Sequence, residues 1–236
     1  MSTPVPKQDM HVHSTFSDGN NTIEENIEEA ESLGLQQLTC VDHVRVDTDY
    51  LPDYVEAIEH LRPTTGIELI CGIEAKLLNT AGDLDLPPVL PEGIDRIYAA
   101  DHQVPLADGP HHPREVKAAI EDGSMTAQNV IAAIIESTAN ASEKYDHMVI
   151  AHMFSILPKI GLDESAVPEE ALASLAETVG RTGNMIEISE RWRCPTARSL
   201  RPFVDAGVPI LLSTDSHKRE HIGRYEFGRA VWQEIH

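Results

Sequence analysis

Histidines and carboxylates stand in this sequence at spacings that suit metal binding. His11-Val12-His13 and Asp215-Ser216-His217 each place two ligand-type side chains two residues apart. In extended backbone that spacing turns both side chains to one face. Asp18 follows the first pair beside Gly19, which permits a sharp turn. His43, Glu74, His102 and His152 each stand at or just after the end of a short apolar run. Neutral imidazole and carboxylate form the ligand set for zinc, manganese or iron. A lone histidine in an apolar segment is usually structural. Here six of the 12 histidines and three carboxylates fall at the same ends of successive runs, a joint pattern that a solvated polar rim does not explain.

These residues can act together only if the chain gathers those ends. Short apolar runs predict strands over Gln8 to His13, Gln37 to Val41, Glu68 to Ile73, Arg96 to Ala100, His147 to Ala151, Met185 to Ser189 and Pro209 to Ser213. Helical patterns lie between most of them. Thr22-Ile23-Glu24-Glu25 reads as a capping box, with Ile23, Ile27 and Ala30 on one face behind it. Pro52 suits a first helical turn ahead of Val55 and Ile58. Ala127 to Asn140, Glu169 to Thr182 and Arg198 to Ala206 read as further helices, the last stopped by Gly207. The proline- and acid-rich stretch from Ala81 to Gly93 reads as a long loop. Strand–helix alternation predicts a mainly parallel sheet covered by helices. About seven such units predict an α/β barrel, with residues 1–236 as one domain. In a barrel of this kind the carboxyl ends of the strands share one rim, where active sites form.

Composition narrows the partners. Asp and Glu number 39 against 18 Lys and Arg, a formal charge of -21. So acidic a surface repels a phosphate backbone, and non-specific nucleic-acid binding depends on Lys and Arg. Nucleic acid is therefore not an expected partner. Hydrophobic residues make up 41% of the chain, the balance of an ordinary globular protein. No run approaches the roughly 20 apolar residues of a membrane span, and the N-terminus lacks the basic-then-apolar pattern of a secretory signal. Cys40, Cys71 and Cys194 share no metal-type spacing. Cys40 and Cys71 lie in apolar runs, where a thiol behaves as a small hydrophobe. A cytoplasmic location without membrane contact is expected.

Asp9-Met10-His11-Val12-His13-Ser14, continuing through Ser17-Asp18-Gly19, resembles the opening motif of the PHP superfamily, named for polymerase and histidinol phosphatase. Asp42-His43, Gly72-Ile73-Glu74, His102, Ala151-His152 and Ser213-Thr214-Asp215-Ser216-His217 follow in the family's order, and the resemblance extends to about Gly223. It implies a distorted seven-stranded (β/α)7 barrel, similar to a TIM barrel, with a trinuclear site for divalent zinc, manganese or iron. On that resemblance His11, His13, Glu74 and Asp215 take one metal. Glu74 bridges to a second, held also by His102 and His152, while Asp18, His43 and His217 take the third. Three divalent ions bring six positive charges, and Asp18, Glu74 and Asp215 return three negative ones, so the pocket stays cationic inside an acidic chain.

The same resemblance implies metal-dependent hydrolysis of a small phosphoester, as in histidinol-phosphate phosphatase, with a metal-activated hydroxide as nucleophile. Glu74 and Asp215 are the expected catalytic carboxylates. Arg191 and Arg193 follow the sixth strand on the ligand rim, and in an extended loop both would face the phosphate. Solvated surface charge is an equal reading of the pair. Lys76, two residues after Glu74, is a further candidate substrate contact, with Arg45 and Lys218 as weaker ones. His111 and His112, among Asp108, Gly109, Pro110 and Pro113, read as a surface loop in preference to a lid. His60, His147 and His236 lie away from the rim, His221 has no assigned role, and Trp192 suits either a pocket wall or a core cover. Two other readings stand beside the phosphomonoesterase. One is a nuclease or phosphodiesterase acting on nucleotides or nucleic acid, which the lack of a basic groove with interleaved aromatics disfavours. The other is a non-catalytic metal-binding domain, which the filled ligand positions disfavour.

Overall fold

The computed structural model describes residues 4–236. Its strands are β1 (Gln8–Val12), β2 (Gln37–Val44), β3 (Glu68–Lys76), β4 (Arg96–Ala100), β5 (Val104–Leu106), β6 (Gly109–His111), β7 (Met148–Ala151), β8 (Met185–Ser189) and β9 (Ile210–Ser213). The helices are α1 (Ile23–Ser32), α2 (Leu51–Leu61), α3 (Pro113–Glu121), α4 (Ala127–Lys144), α5 (Glu169–Thr182), α6 (Ala197–Asp205) and α7 (Phe227–Ile235). Seven strands form one sheet in the order β1-β2-β3-β4-β7-β8-β9, with β5 and β6 as a separate antiparallel hairpin. All neighbours in the large sheet are parallel. Its two ends meet just past the strands, where the His13 N–H donates to Ser216 O at 2.8 Å and the Ser216 N–H to His11 O at 3.2 Å. The sheet is therefore a nearly closed α/β barrel, as the alternation of elements predicts.

Local chemistry explains most of the boundaries. Thr22 and Glu25 cap α1 reciprocally, at 3.3 Å and 3.0 Å, which satisfies donors that a helix start leaves bare. Strands β2 and β3 run three residues beyond the expected Val41 and Ile73, so His43 and Glu74 lie within the strands and pair in register. The segment after β4 is not plain loop. It folds as the β5–β6 hairpin and then α3, with Pro113 in its first turn and a His112–Glu115 capping box. Phe227–Ile235 forms α7, which the sequence pattern did not flag; Glu190 caps it by accepting from Phe227 N and Gly228 N.

The core has two layers. Met10, Val41, Ile70, Tyr98, Ala100, Val149, Ala151 and Leu211 fill the inside of the barrel, while a larger cluster packs the outer faces of the strands against the helices. Along β1 the alternation is broken: Asp9 pairs with Leu38 but Val12 pairs with Cys40, so β1 advances three residues while β2 advances two. Such a bulge re-aims side chains. It brings His11 inside beside Met10, with its ring 4.9 Å from the Tyr98 ring at the floor of the site. Gly72 makes room for that floor. A Cβ there would stand 3.0 Å from Tyr98 Cε2, 3.0 Å from Thr39 Cγ2 and 3.1 Å from Val41 Cγ2. Gly72→Ala should destabilise the fold by about 1–3 kcal/mol, the range for overpacking a core; an unchanged denaturant midpoint would contradict this packing. Among the described residues no helix is long and apolar enough to cross a membrane. Cys40, Cys71 and Cys194 are all buried and unpaired.

Candidate metal centre

Glu74 stands at the middle of the carboxyl rim and is 2% exposed. Its two oxygens face different partners. Oε1 lies 2.8 Å from His152 Nε2 and 3.2 Å from His102 Nε2. Oε2 lies 2.9 Å from His43 Nδ1, 3.5 Å from His11 Nε2 and 3.6 Å from His13 Nε2. Asp215 Oδ1 is 3.2 Å from His13 Nε2 and 3.5 Å from His217 Nδ1. Asp18, on the turn after β1, places Oδ1 3.3 Å from His217 Nε2 and Oδ2 3.6 Å from His43 Nε2. That turn crosses close over the end of β1, where a Cβ on Gly19 would come 2.6 Å from the His13 carbonyl. The candidate ligands His11, His13, Asp18, His43, Glu74, His102, His152, Asp215 and His217 are thus brought together. Their donor atoms form three sets that could hold an ion: His13, Asp18, His43 and His217; His11, His13 and Glu74; and His43, Glu74 and His102. His102 approaches His43 as well as its expected partner His152, whose ring lies 5.4 Å away.

Four buried carboxylates, none of them assigned a role from sequence, hold these side chains in place. Glu187 on β8 lies 3.1 Å and 3.2 Å from His11 Nδ1 and accepts the His152 N–H at 2.8 Å. Asp101 accepts from Ser155 Oγ at 2.6 Å, and Ser155 Oγ lies 3.1 Å from His152 Nδ1. Asp42 accepts the Ser14 N–H and hydroxyl at 3.0 Å and 2.6 Å and the Ser17 hydroxyl, which ties down the turn bearing Asp18. Asp9 accepts from Thr214 N, Thr214 Oγ1 and Gly223 N at 2.9 Å, 2.6 Å and 2.9 Å, which ties down the loop bearing Asp215 and His217. Partners of this kind fix ring orientation and ligand basicity in metal sites. Two of the candidate ligands also sit in left-handed backbone, His152 at φ 29° and Asp215 at φ 51°. Such conformations cost of order 1–3 kcal/mol and persist where surrounding contacts impose them. A signal for Glu187 was present in sequence, since an acid inside a short, otherwise apolar strand is costly to bury without a partner.

The donor set fits divalent ions. Because His11 Nδ1 is engaged by Glu187, its Nε2 faces His13 Nε2 at 3.1 Å, and two ring nitrogens at that distance need a proton or a cation between them. His13 Nδ1 is buried without a hydrogen-bond partner. Burial pushes the His13 imidazole down to about 4, which leaves it neutral and able to ligate at neutral pH. Burial opposes charge on Glu74, yet the His102 and His11 rings beside it hold its carboxyl well below the usual range. Burial also opposes charge on His43 and His152. Asp18 and Glu74 outweigh it at His43, and Asp101 and Glu74 at His152, so both rings are pushed up to about 10. Metal can bind those rings only by displacing their protons. Loading should therefore release protons into weakly buffered solution, and affinity should rise from about pH 6 to about pH 9; an affinity independent of pH would contradict the arrangement.

A family model for the PHP domain matches residues 9–191, which contain most of these ligands and all four supporting carboxylates. The chain belongs to the PHP family. It is 25% identical over 229 residues to "Probable phosphatase YcdX" of Escherichia fergusonii, covering 92% of this chain and 81% of that one. Its fold is similar to the crystal structure of "the putative histidinol phosphatase hisK" from Listeria monocytogenes, with a TM-score of 0.67 and 16% identity over 92% of this chain and 97% of that one. It is also similar to a structure called "a putative metal-dependent phosphoesterase" from Bifidobacterium adolescentis, with a TM-score of 0.50 and 17% identity over 98% and 96% of the two chains.

Above the candidate ligands of this PHP domain opens a cavity of about 800 Å³, lined also by Arg45, Lys76, Lys159, Arg191 and Trp192. Trp192 is a pocket wall, and its indole N–H donates to Asp215 Oδ2. Arg191 Nη1 donates to Asp215 O at 3.2 Å and touches His217. Arg193 does not join it, contrary to the expectation of a paired clamp. The segment is a tight turn, closed by the Ser189 N–H on Cys194 O at 2.8 Å, so the alternation of an extended loop does not apply. The Arg193 guanidinium lies 5.3 Å over the Phe227 ring, and the residue lines a separate cavity. Arg191→Ala should raise KM roughly tenfold through loss of a charge-assisted contact, whereas Arg193→Ala should leave KM unchanged. Equal effects of the two substitutions would contradict this placement. Lys218 and His221 line a neighbouring cavity instead of the main one. His111 lies 2.9 Å from Asp108 and His112 caps α3, as a surface role requires. His60 and His147 are exposed, and His236 stacks on Trp232.

Proposed function

We propose that this PHP protein is a metal-dependent hydrolase of a small phosphomonoester, working in the cytoplasm with three divalent ions of zinc, manganese or iron. One ion would be held by His11, His13, Glu74 and Asp215, a second by Glu74, His102 and His152, and a third by Asp18, His43 and His217. The observation that carries the reading is the division of Glu74, whose Oε1 faces His102 and His152 while Oε2 faces His11, His13 and His43. A single carboxylate set between two groups of imidazoles is what a shared ligand requires. Bound divalent ions supply the Lewis acidity that makes water competent to attack phosphorus near neutral pH.

The chain's own groups do the positioning. Glu187 and Asp101 keep His11 and His152 facing Glu74, so the ligand geometry exists before substrate arrives. Arg191, on the cavity wall beside Asp215, can grip two phosphate oxygens as a fork. Trp192 walls the site and fixes the Asp215 carboxylate. In the net reaction the water oxygen bonds to phosphorus, the P–O bond to the alcohol breaks, and a proton from the water ends on the departing oxygen. Kinship with proteins named phosphatase and phosphoesterase supports the same class. The test is phosphate release from a panel of monoesters and diesters by protein reconstituted separately with Mn, Fe and Zn. Monoester turnover is expected. Protein shown to hold its metals but inert on every monoester would refute the proposal, and turnover of diesters alone would move it to the phosphodiesterase reading.

A further inference from the structure

We infer that the preferred substrate carries a second anionic group on its alcohol portion, a carboxylate or another phosphate, bound by a layer of cations just above the candidate metal ligands. This rests on the phosphoesterase reading. The strand ends and the turns that follow them build the layer. Arg45 stands two residues past His43 and Lys76 two residues past Glu74. Residues two apart on a strand share a face and lie roughly 6.6 Å further along it, so Lys76, the last residue of β3, repeats outward the inward-facing position of Glu74, while Arg45 opens the turn directly after β2, where its backbone N–H donates to Thr48 Oγ1. Both line the cavity, as does Lys159 from the short helical turn Leu157–Ile160 after β7. Leu157 and Ile160 are buried and anchor that turn. The Lys159 ammonium lies 4.1 Å over the ring of Trp192, which is itself tied to Asp215.

The charge of this wall is opposite to that of the chain. Beyond the candidate metal ligands, the cavity carries Arg45, Lys76, Lys159 and Arg191 against one carboxylate, Asp85, which sits 3.6 Å from Lys76. Among the described residues neither Arg45 nor Lys159 is in an ion pair. The chain as a whole has a net charge of -21, so a cluster of cations here does not reflect average composition. Arg191 lies against Asp215 and, on the phosphoesterase reading, is taken up by the phosphate that is cleaved. Arg45, Lys76 and Lys159 are then left for the alcohol. A cavity of about 800 Å³ is in the range that holds a whole small molecule, not only its phosphate. A cationic alcohol would meet like charge there, which costs affinity, whereas an anionic one finds complementary charge.

The test compares matched substrates on manganese-loaded protein at fixed ionic strength: glycerol 3-phosphate against 3-phosphoglycerate, and fructose 1-phosphate against fructose 1,6-bisphosphate, with phosphoethanolamine as the cationic member. The anionic member of each pair should have kcat/KM higher by about tenfold or more, the effect of one good charge-assisted contact. Phosphoethanolamine should fall below both neutral esters. The pair with the larger ratio identifies carboxylate or phosphate as the second group. As a binding readout, glycerate should inhibit competitively where glycerol does not. Lys159→Met and Lys76→Met should each shrink the preference, and Lys159→Glu should shrink it further. Equal kcat/KM within both pairs, with the neutral esters turned over, overturns this inference and leaves the phosphoesterase reading standing. Failure on every ester by protein shown to hold its metals overturns that reading and the inference with it.

Discussion

Glu74→Gln should lower phosphate release by about three orders of magnitude, because Lewis-acid stabilisation worth several kcal/mol is lost and each 1.36 kcal/mol is tenfold in rate. The substitution keeps the shape of the side chain but replaces one oxygen by an NH2 donor. Either His102 and His152 or His11, His13 and His43 would then face a group that cannot ligate. Elemental analysis should show fewer ions per chain, and excess metal should not restore turnover. Full metal content with unchanged turnover would remove Glu74 from the centre of the site.

Glu187→Gln should act differently although it lies in the same barrel. Glu187 touches no expected metal position directly; it engages His11 Nδ1 and the His152 N–H. Loss of its charge should weaken metal affinity about 10–100-fold, the usual effect of removing a partner that orients a ligand. Activity at limiting metal should fall with affinity, and excess metal should restore most of it. That rescue separates a positioning residue from a ligand. Metal titrations that coincide with those of the unsubstituted protein would show that Glu187 only fills the barrel.

Much of the site was legible in the sequence because ligand residues of a parallel barrel fall at strand ends. Strand ends show as the last residues of short apolar runs, so His11, His13, His102 and His152 could be placed without knowing how the strands pair. Helices α1 and α5 were legible for a similar reason, since caps and apolar periodicity are local properties. The hairpin, α3 and α7 were missed because their signals are short or unusual, such as a histidine in the capping position of α3.

Residue types and spacing thus determined the candidate ligand set, the strand–helix alternation and the acidic character of the chain, all of which depend on near neighbours. Tertiary structure alone decided which candidate ligands face one another. The bulge in β1 turns His11 inward beside Met10, and the register of β2 on β3 sets His43 opposite Glu74. It also decided that Arg191 faces the cavity while Arg193 turns to Phe227, since that follows from the closure of one tight turn. The supporting roles of Asp9, Asp42, Asp101 and Glu187 belong to the same class, for all four join partners in distant parts of the chain. A contact such as Asp9 with Thr214 has no trace in local pattern, because it exists only once the first and last strands meet and close the barrel.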